Sequence, residues 1–239
     1  MRKKAPRPDR STEGVSAGVS FPQDLKNRLP PALLAEVGAV CLIWNVVEDM
    51  VDALLRTGLD ISPSVAQHVT SRINGLDGKT AIIKELLNAF PPTPTVFQDL
   101  VTTTLNGVSE CKRFRDGVVH ARLHSQTTSL AYSAQRQGRV DEIVFTREAL
   151  SGLYDRLAIL DHELRTIRST YDAHLFNAGY RRYPTFVESG RTVREIIQSY
   201  VKNLQEYQEQ RKSLPPMPTV DSIKATETEY SEGVASTMD

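Results

Sequence analysis

One continuous apolar stripe, which begins at Leu33, constrains the fold more than any other feature of the chain. Its residues recur at alternating spacings of four and three, and this spacing places them on one face of an α-helix. They are Leu33, Val37, Val40, Trp44, Val47, Val51 and Leu54. Pro30-Pro31 precedes the stripe and Gly58 follows it, as is usual at the two ends of a helix. The pattern predicts a long first helix whose apolar face needs other helices to cover it.

Proline signals divide the following residues into three more helices. Ser62-Pro63 and Thr93-Pro94 each combine an N-cap residue with a proline suited to the first helical position. They predict a short helix that ends near residue 75, another over 78–90, and a long fourth helix over 95–123. The apolar side of the fourth helix is marked by Phe97, Val101, Thr104, Val108, Cys111 and Val118.

The pattern changes at residue 126. Residues 126–145 contain two β-forming runs around a polar turn at Gly138, which predicts a β-hairpin. Thr146 is the N-cap of a fifth helix, and Thr192 and Glu195 have the spacing of a capping box that opens a sixth. The apolar stripe of the fifth helix is Leu150, Leu153, Leu157, Leu160, Leu164, Ile167 and Tyr171.

These elements predict an all-α bundle with an appended hairpin. We expect a helical core over residues 30–125, a hairpin insertion over 126–145, and extra C-terminal helices over 146–212 that pack on the core. Long amphipathic helices with short connections are typical of such bundles.

The two ends of the chain carry opposite charge. Residues 1–20 hold five basic side chains, and the segment 213–239 holds three prolines and then five acids against Lys224. Both are poor in large apolar residues, so we expect a disordered basic tail over 1–20 and a disordered acidic tail over 213–239. The formal net charge is zero, so any attraction to nucleic acid must come from a local patch.

The composition also indicates a compartment. Cys41 and Cys111 are the only cysteines, and both occupy apolar positions of predicted helices, which favours buried free thiols. The N-terminus lacks the apolar segment of a secretory signal, and the longest apolar run, around residues 37–44, is too short to span a bilayer. We expect a cytoplasmic protein that binds no membrane.

Arg115, Asp116 and His120 form the constellation that could carry chemistry, late in the predicted fourth helix. Asp116 and His120 are four residues apart, so their side chains share a face and the carboxylate could orient the imidazole. Arg115 lies about 140° around the helix from His120. It would have to curl round the helix or meet a histidine of another chain.

These residue types suit the cleavage of RNA without a metal. A histidine can transfer protons near neutral pH, and a guanidinium binds phosphate oxygens and stabilises charge that develops on phosphorus. Between Cys111 and Arg147 there are seven Lys/Arg and three Asp/Glu, a surplus that could attract phosphate. The same residues also fit a surface arginine with a structural histidine. His120 and His124 have the spacing of a metal-binding pair, but the sequence offers no third ligand.

The segment RDGVVH at 115–120 resembles the Arg-x4–6-His motif of the HEPN superfamily, in which a polar residue commonly follows the arginine. Asp116 occupies that position, and a long first helix bearing Trp44-Asn45 and Glu48 precedes the motif. The resemblance covers about residues 31–125. It implies a four- or five-helix bundle that often dimerises, which brings two motifs into one cleft. Many members are metal-independent ribonucleases of toxin–antitoxin, phage-defence or RNA-processing systems, and others are non-catalytic RNA-binding or interaction modules.

The resemblance implies that Arg115 and His120 are the catalytic pair, with Asp116 as their polar companion. Asn45, Glu48 and Asp52 form a polar stripe on the first helix, from which Glu48 could brace Arg115. The same stripe fits a solvent-facing side of that helix equally well.

We therefore expect a homodimeric endoribonuclease that acts on RNA without a cofactor or a metal and has an antitoxin or a nucleotidyltransferase as partner. The alternatives are a non-catalytic HEPN-like module that binds RNA or a protein, and a plain helical scaffold that dimerises through its stripes.

Overall fold

The described part of the chain is predominantly α-helical, which confirms the predicted class. A computed structural model describes residues 30–61, 63–73, 75–89, 93–120, 122–123, 130–136, 139–179 and 191–217. Its elements, in chain order, are α1 (Pro31–Leu59), α2 (Pro63–Thr70), α3 (Gly75–Ala89), α4 (Thr95–Val119), β1 (Arg122–Leu123), β2 (Leu130–Arg136), β3 (Arg139–Phe145), α5 (Arg147–Asn177) and α6 (Val193–Ser213). The predicted basic tail over 1–20, Gly138 and His124 lie outside these ranges.

Helices α1 and α5 form the centre of the bundle and pack chiefly on each other, while α3, α4 and α6 cover them. The apolar stripe of α1 is buried as predicted, except that Val37 is only partly buried. The stripe of α5 is buried throughout, from Leu150 to Tyr171. Because both stripes follow the helical repeat, each helix turns one continuous apolar face to the other.

The capping signals of the two C-terminal helices are confirmed. The Thr146 hydroxyl accepts a hydrogen bond from the Ala149 N–H at 3.2 Å. Thr192 and Glu195 form the capping box, in which the Glu195 carboxylate accepts from the Thr192 N–H at 2.8 Å. This bond and that from the Thr192 hydroxyl hold the pKa of Glu195 below its usual value.

The start of α4 differs from the expectation. Pro94, not Thr93, occupies the N-cap position, and it provides no side-chain cap. The Thr93 side chain is buried and donates instead to the Leu87 carbonyl at the end of α3, at 3.0 Å. Gln98 of α4 donates to the same hydroxyl oxygen at 3.2 Å, so Thr93 ties α3 to the start of α4.

The end of α4 was also predicted wrongly. The helix stops at Val119, and His120 is its C-cap residue, with its N–H bonded to the Asp116 carbonyl at 3.0 Å. Arg122 and Leu123 form the short strand β1 instead. Leu123 lies five residues after Val118, about 140° around the helix from the apolar stripe, so the stripe itself ends at Val118 and does not support a longer helix.

The strands form an antiparallel sheet in the order β1-β2-β3. Strand β1 pairs Arg122 with Ala131, and β2 pairs with β3 from Leu130 opposite Phe145 to Arg136 opposite Arg139. The buried ring of Phe145 packs edge-on against Phe114 of α4, with ring centroids 5.2 Å apart. The sheet is thereby anchored beside the end of α4 that bears the arginine and histidine.

A buried polar cluster joins α6 to the bundle. Glu163 of α5 is fully buried and binds the Arg211 side chain of α6 at 2.7 Å. The Thr104 hydroxyl of α4 donates to the other carboxylate oxygen of Glu163 at 2.6 Å, and Gln208 donates to Thr104 at 3.0 Å. Three helices therefore share one hydrogen-bonded network, which fixes how α6 sits on α4 and α5.

The residues that follow α6 also contact the bundle. Arg156 donates to the carbonyl of Leu214 at 3.0 Å and to that of Pro215, and Met217 packs against the core. The predicted boundary of the acidic tail at residue 213 is therefore too early, because an arginine of α5 satisfies the backbone that the prolines leave extended. Residues 218–239 lie outside the described ranges.

By length and composition, α1 is apolar enough to cross a membrane. The core helix of a soluble protein and a signal sequence near the N-terminus pass the same test.

Candidate functional site

The guanidinium of Arg115 lies over the ring of Trp44. Its Cζ is 5.2 Å from the ring centroid, and Trp44 is completely buried in α1. An arginine over the face of a tryptophan is attracted by the ring quadrupole, and the attraction grows as water is excluded. The Arg115 side chain is only 25% exposed. The first helix therefore fixes the position of the arginine that the motif supplies from α4.

Asp116 holds the same guanidinium from the side. Nη1 of Arg115 donates to Oδ1 of Asp116 at 2.9 Å. The carboxylate that was predicted to orient the His120 imidazole is thus paired with Arg115, and among the described residues the Asp116 and His120 side chains form no hydrogen bond.

His120 is exposed at the C-terminal end of α4. Its backbone, at φ −96° and ψ 6°, leaves the helix there, while its N–H still bonds to the Asp116 carbonyl. Arg115 and His120 thus stand in the last turns of one helix, with the arginine turned inward against α1 and the imidazole open to solvent.

The polar stripe of α1 takes no direct part in holding Arg115. Asn45 is exposed and Glu48 is half-buried. Asp52 forms an ion pair with Lys79 of α3 at 2.7 Å. Glu48 and Arg115 are both described, and the structure forms no ion pair between them. Asp116 supplies the bracing that was predicted for Glu48, since it is the carboxylate closest along the chain.

Two buried donors at this contact lack acceptors. Within the part of the chain that the structure describes, neither Nε1 of Trp44 nor Nε of Arg115 has a hydrogen-bond partner. A buried donor without a partner typically costs about 1–3 kcal/mol. Buried donors without a protein partner of this kind also occur at functional sites.

The surroundings of the site are mixed in charge. The last part of α4 carries Lys112, Arg113 and Arg115 against Glu110 and Asp116. Lys112 also pairs with the exposed Asp77 of α3 at 3.3 Å. The local field is weakly positive, and Arg115 is the cation that the fold immobilises.

The described residues offer less support for other kinds of functional site, such as a metal centre or a reactive thiol. Across those ranges, no group of three or more His, Cys, Asp or Glu side chains could hold a metal ion.

Burial raises the pKa of the Cys111 thiol to about 12, so that it stays protonated at neutral pH. Cys41 is only partly buried, contrary to the expectation. An open cleft of about 400 Å³ between α1, α5 and Leu214 contains none of the predicted site residues.

Comparison with protein-family models, with curated proteins and with solved structures gave no match to this chain.

Sequence reasoning missed the role of Trp44 and the pair formed by Glu163 and Arg211. Trp44 was counted with the apolar stripe, which is correct, but its ring face also binds a cation. A buried tryptophan in a chain with a single one is the signal that could have indicated it.

Proposed function

We propose that this protein is a metal-independent endoribonuclease of the HEPN type, with a HEPN-like helical core over residues 30–125. The observation that supports this most is the restraint of Arg115, whose guanidinium lies between the Trp44 ring and the Asp116 carboxylate. An arginine held in this way, in the same helix end as an exposed histidine, suits the binding of a phosphodiester beside a proton-transfer group.

In the proposed reaction, His120 takes the proton from a ribose 2′-hydroxyl. The 2′-oxygen attacks phosphorus, the bond from phosphorus to the 5′-oxygen breaks, and the protonated imidazole gives its proton to the leaving oxygen. The products are a 2′,3′-cyclic phosphate and a 5′-hydroxyl. Arg115 binds the non-bridging oxygens and stabilises the charge that develops there. Asp116 holds Arg115 rather than the imidazole. Single-stranded RNA is the substrate because its ribose and phosphate are accessible.

We propose that the protein works as a homodimer in the cytoplasm, as part of a toxin–antitoxin or phage-defence system with an antitoxin or nucleotidyltransferase as its partner. Within one chain, Arg115 turns inward and His120 faces solvent. A second copy could complete the pair, with the α4 ends adjacent across a two-fold axis. Sedimentation at micromolar concentration should give about twice the monomer mass of 26.7 kDa. A monomer alone would contradict the dimer.

The alternative is a non-catalytic HEPN-like module that binds RNA. The ion pair between Arg115 and Asp116 favours it, because the carboxylate leaves hydrogens of the guanidinium for a phosphate but reduces the stabilisation of the extra charge that develops during cleavage. Both functions use Arg115, but only the nuclease needs His120.

The test incubates total RNA with the purified protein in EDTA and measures cleavage of the RNA. Wild type should cleave, and Arg115→Ala and His120→Ala should not. His162→Ala and Arg168→Ala, which change an exposed histidine and arginine of α5, serve as matched controls and should cleave as wild type does. Cleavage that is equal in all five proteins, or absent from all, would contradict the nuclease. RNA binding that depends on Arg115 alone would support the module.

A further inference from the structure

We propose that Trp44 is a positioning residue for RNA binding. It holds Arg115 so that the two terminal nitrogens of the guanidinium face a phosphodiester of the RNA. This inference rests on the proposed binding of RNA at Arg115 but does not need cleavage. It adds to the site a buried residue of another helix.

The geometry determines which edge of Arg115 is available. Nε is buried, and the side chain as a whole is 25% exposed. Of the two terminal nitrogens, Nη1 donates to Asp116 at 2.9 Å, and Nη2 has no hydrogen-bond partner among the described residues. A phosphate that meets the guanidinium end-on would accept one hydrogen bond from Nη2 and one from Nη1.

Trp44 keeps that edge in place. The guanidinium lies over a ring that packing holds in place, since Trp44 of α1 is fully buried in the core of the bundle. A planar cation held by a ring face loses little rotamer entropy on binding, because it is already ordered. An aliphatic residue at position 44 could fill the volume but would not attract the cation. Arg115 would then be free to leave the phosphate-binding orientation.

The experiment measures the Kd for single-stranded RNA in EDTA, with every protein also carrying His120→Ala so that the RNA survives. Trp44→Phe keeps an aromatic face and should weaken binding only about 2- to 3-fold, whereas Trp44→Leu should weaken it roughly tenfold. Arg115→Ala should weaken it by at least as much. Phe97→Leu removes another fully buried ring, away from Arg115, and should leave the Kd unchanged. Thermal unfolding of each variant verifies that it folds.

The decisive comparison is the double variant. If Trp44 acts through Arg115, then Trp44→Phe and Trp44→Leu should have no further effect on the Kd once Arg115 is alanine. An equal loss with and without Arg115, or no loss in either tryptophan variant while Arg115→Ala weakens binding, overturns the inference. Should Trp44→Leu fail to fold, the Trp44→Phe cycle gives the same comparison. If Arg115→Ala itself leaves the Kd unchanged, RNA does not bind at this site. That outcome contradicts the proposed function, and this inference with it.

Discussion

Arg211 and Glu163 form an ion pair inside the bundle, with Nε of the arginine 2.7 Å from Oε1 of the glutamate. Glu163 is fully buried, and the Thr104 hydroxyl binds its second oxygen. The carboxylate is thus satisfied by α4 and α6 together. Because a buried charge is costly unless it is paired, this cluster makes the docking of α6 specific.

Replacing Glu163 with alanine should destabilise the fold by about 3–5 kcal/mol, because Arg211 would remain in the interior without its counter-charge. Urea unfolding measures the change. Glu209→Ala breaks an exposed ion pair with Lys212 on the same helix and should cost less than about 1 kcal/mol. Similar losses in the two variants would show that the buried pair adds nothing to the docking of α6.

Gly107 and Gly38 should respond to alanine in opposite ways. A Cβ at Gly107 would lie 2.8 Å from Cζ of Arg211, whereas one at Gly38 meets nothing within 4 Å. Gly107→Ala should destabilise the fold by about 1–3 kcal/mol, since Arg211 must move from its buried partner. Gly38→Ala should stabilise it by about 0.5–1 kcal/mol, as is usual in an exposed helix. Thermal unfolding of both variants tests this, and a stabilising Gly107→Ala would be the contrary result.

His174 should make the fold sensitive to acid. Burial lowers its pKa from the ordinary 6.5, and its ring lies against Phe97. The unfolded chain therefore takes up the proton more readily than the folded one. Stability should be complete above about pH 6.5 and fall as the pH drops from there towards the lowered folded pKa.

The measurement is the unfolding free energy of wild type and His174→Leu at pH 7.5 and pH 5. The variant should lose less stability than wild type between these pH values. His162→Ala, at an exposed histidine, should keep the wild-type loss. If His174→Leu shows the same loss as wild type, the acid sensitivity comes from other groups.

The C-terminal contacts predict where the chain can be shortened. A chain that ends at Met217 should melt as the full chain does, because residues 214–217 keep their contacts with Arg156 and the core. A chain that ends at Ser213 should melt several degrees lower, since about 1 kcal/mol shifts the melting temperature by roughly 2–4 °C in a domain of this size. Equal melting temperatures would show that these contacts contribute no stability.

The apolar periodicity of the sequence predicted the helical part of this fold, because a helix is determined by residues that are close together in the chain. The stripes of α1 and α5 repeat every three or four residues over their whole length, and both are buried. The capping box at Thr192 depends on three consecutive peptide units, and it too was readable. The end of α4 was predicted wrongly, because the prediction extended the helix beyond Val118, the last residue of its stripe, into residues that pair with β2.

The candidate site was only partly predictable, because its contacts join residues that are far apart in the chain. The motif residues are neighbours in sequence, but their side-chain partners are set by packing between helices. Arg115 turns to Trp44, seventy-one positions earlier in the chain, and Asp116 pairs with Arg115. Glu163 reads as an ordinary surface residue of an amphipathic helix until α6 brings Arg211 over it.

The central claim is that Arg115 and His120 cleave RNA through the ribose 2′-hydroxyl, and one oligonucleotide pair tests it directly. In EDTA, the wild-type protein should cut an all-ribose single strand at mapped positions and leave a 2′,3′-cyclic phosphate and a 5′-hydroxyl. The same strand with 2′-deoxyribose at the main position should stay intact there, while His120→Ala should lower the rate by about 10²–10⁴. Cutting at the deoxyribose position, products with a 5′-phosphate, or an undiminished rate in His120→Ala would contradict the account.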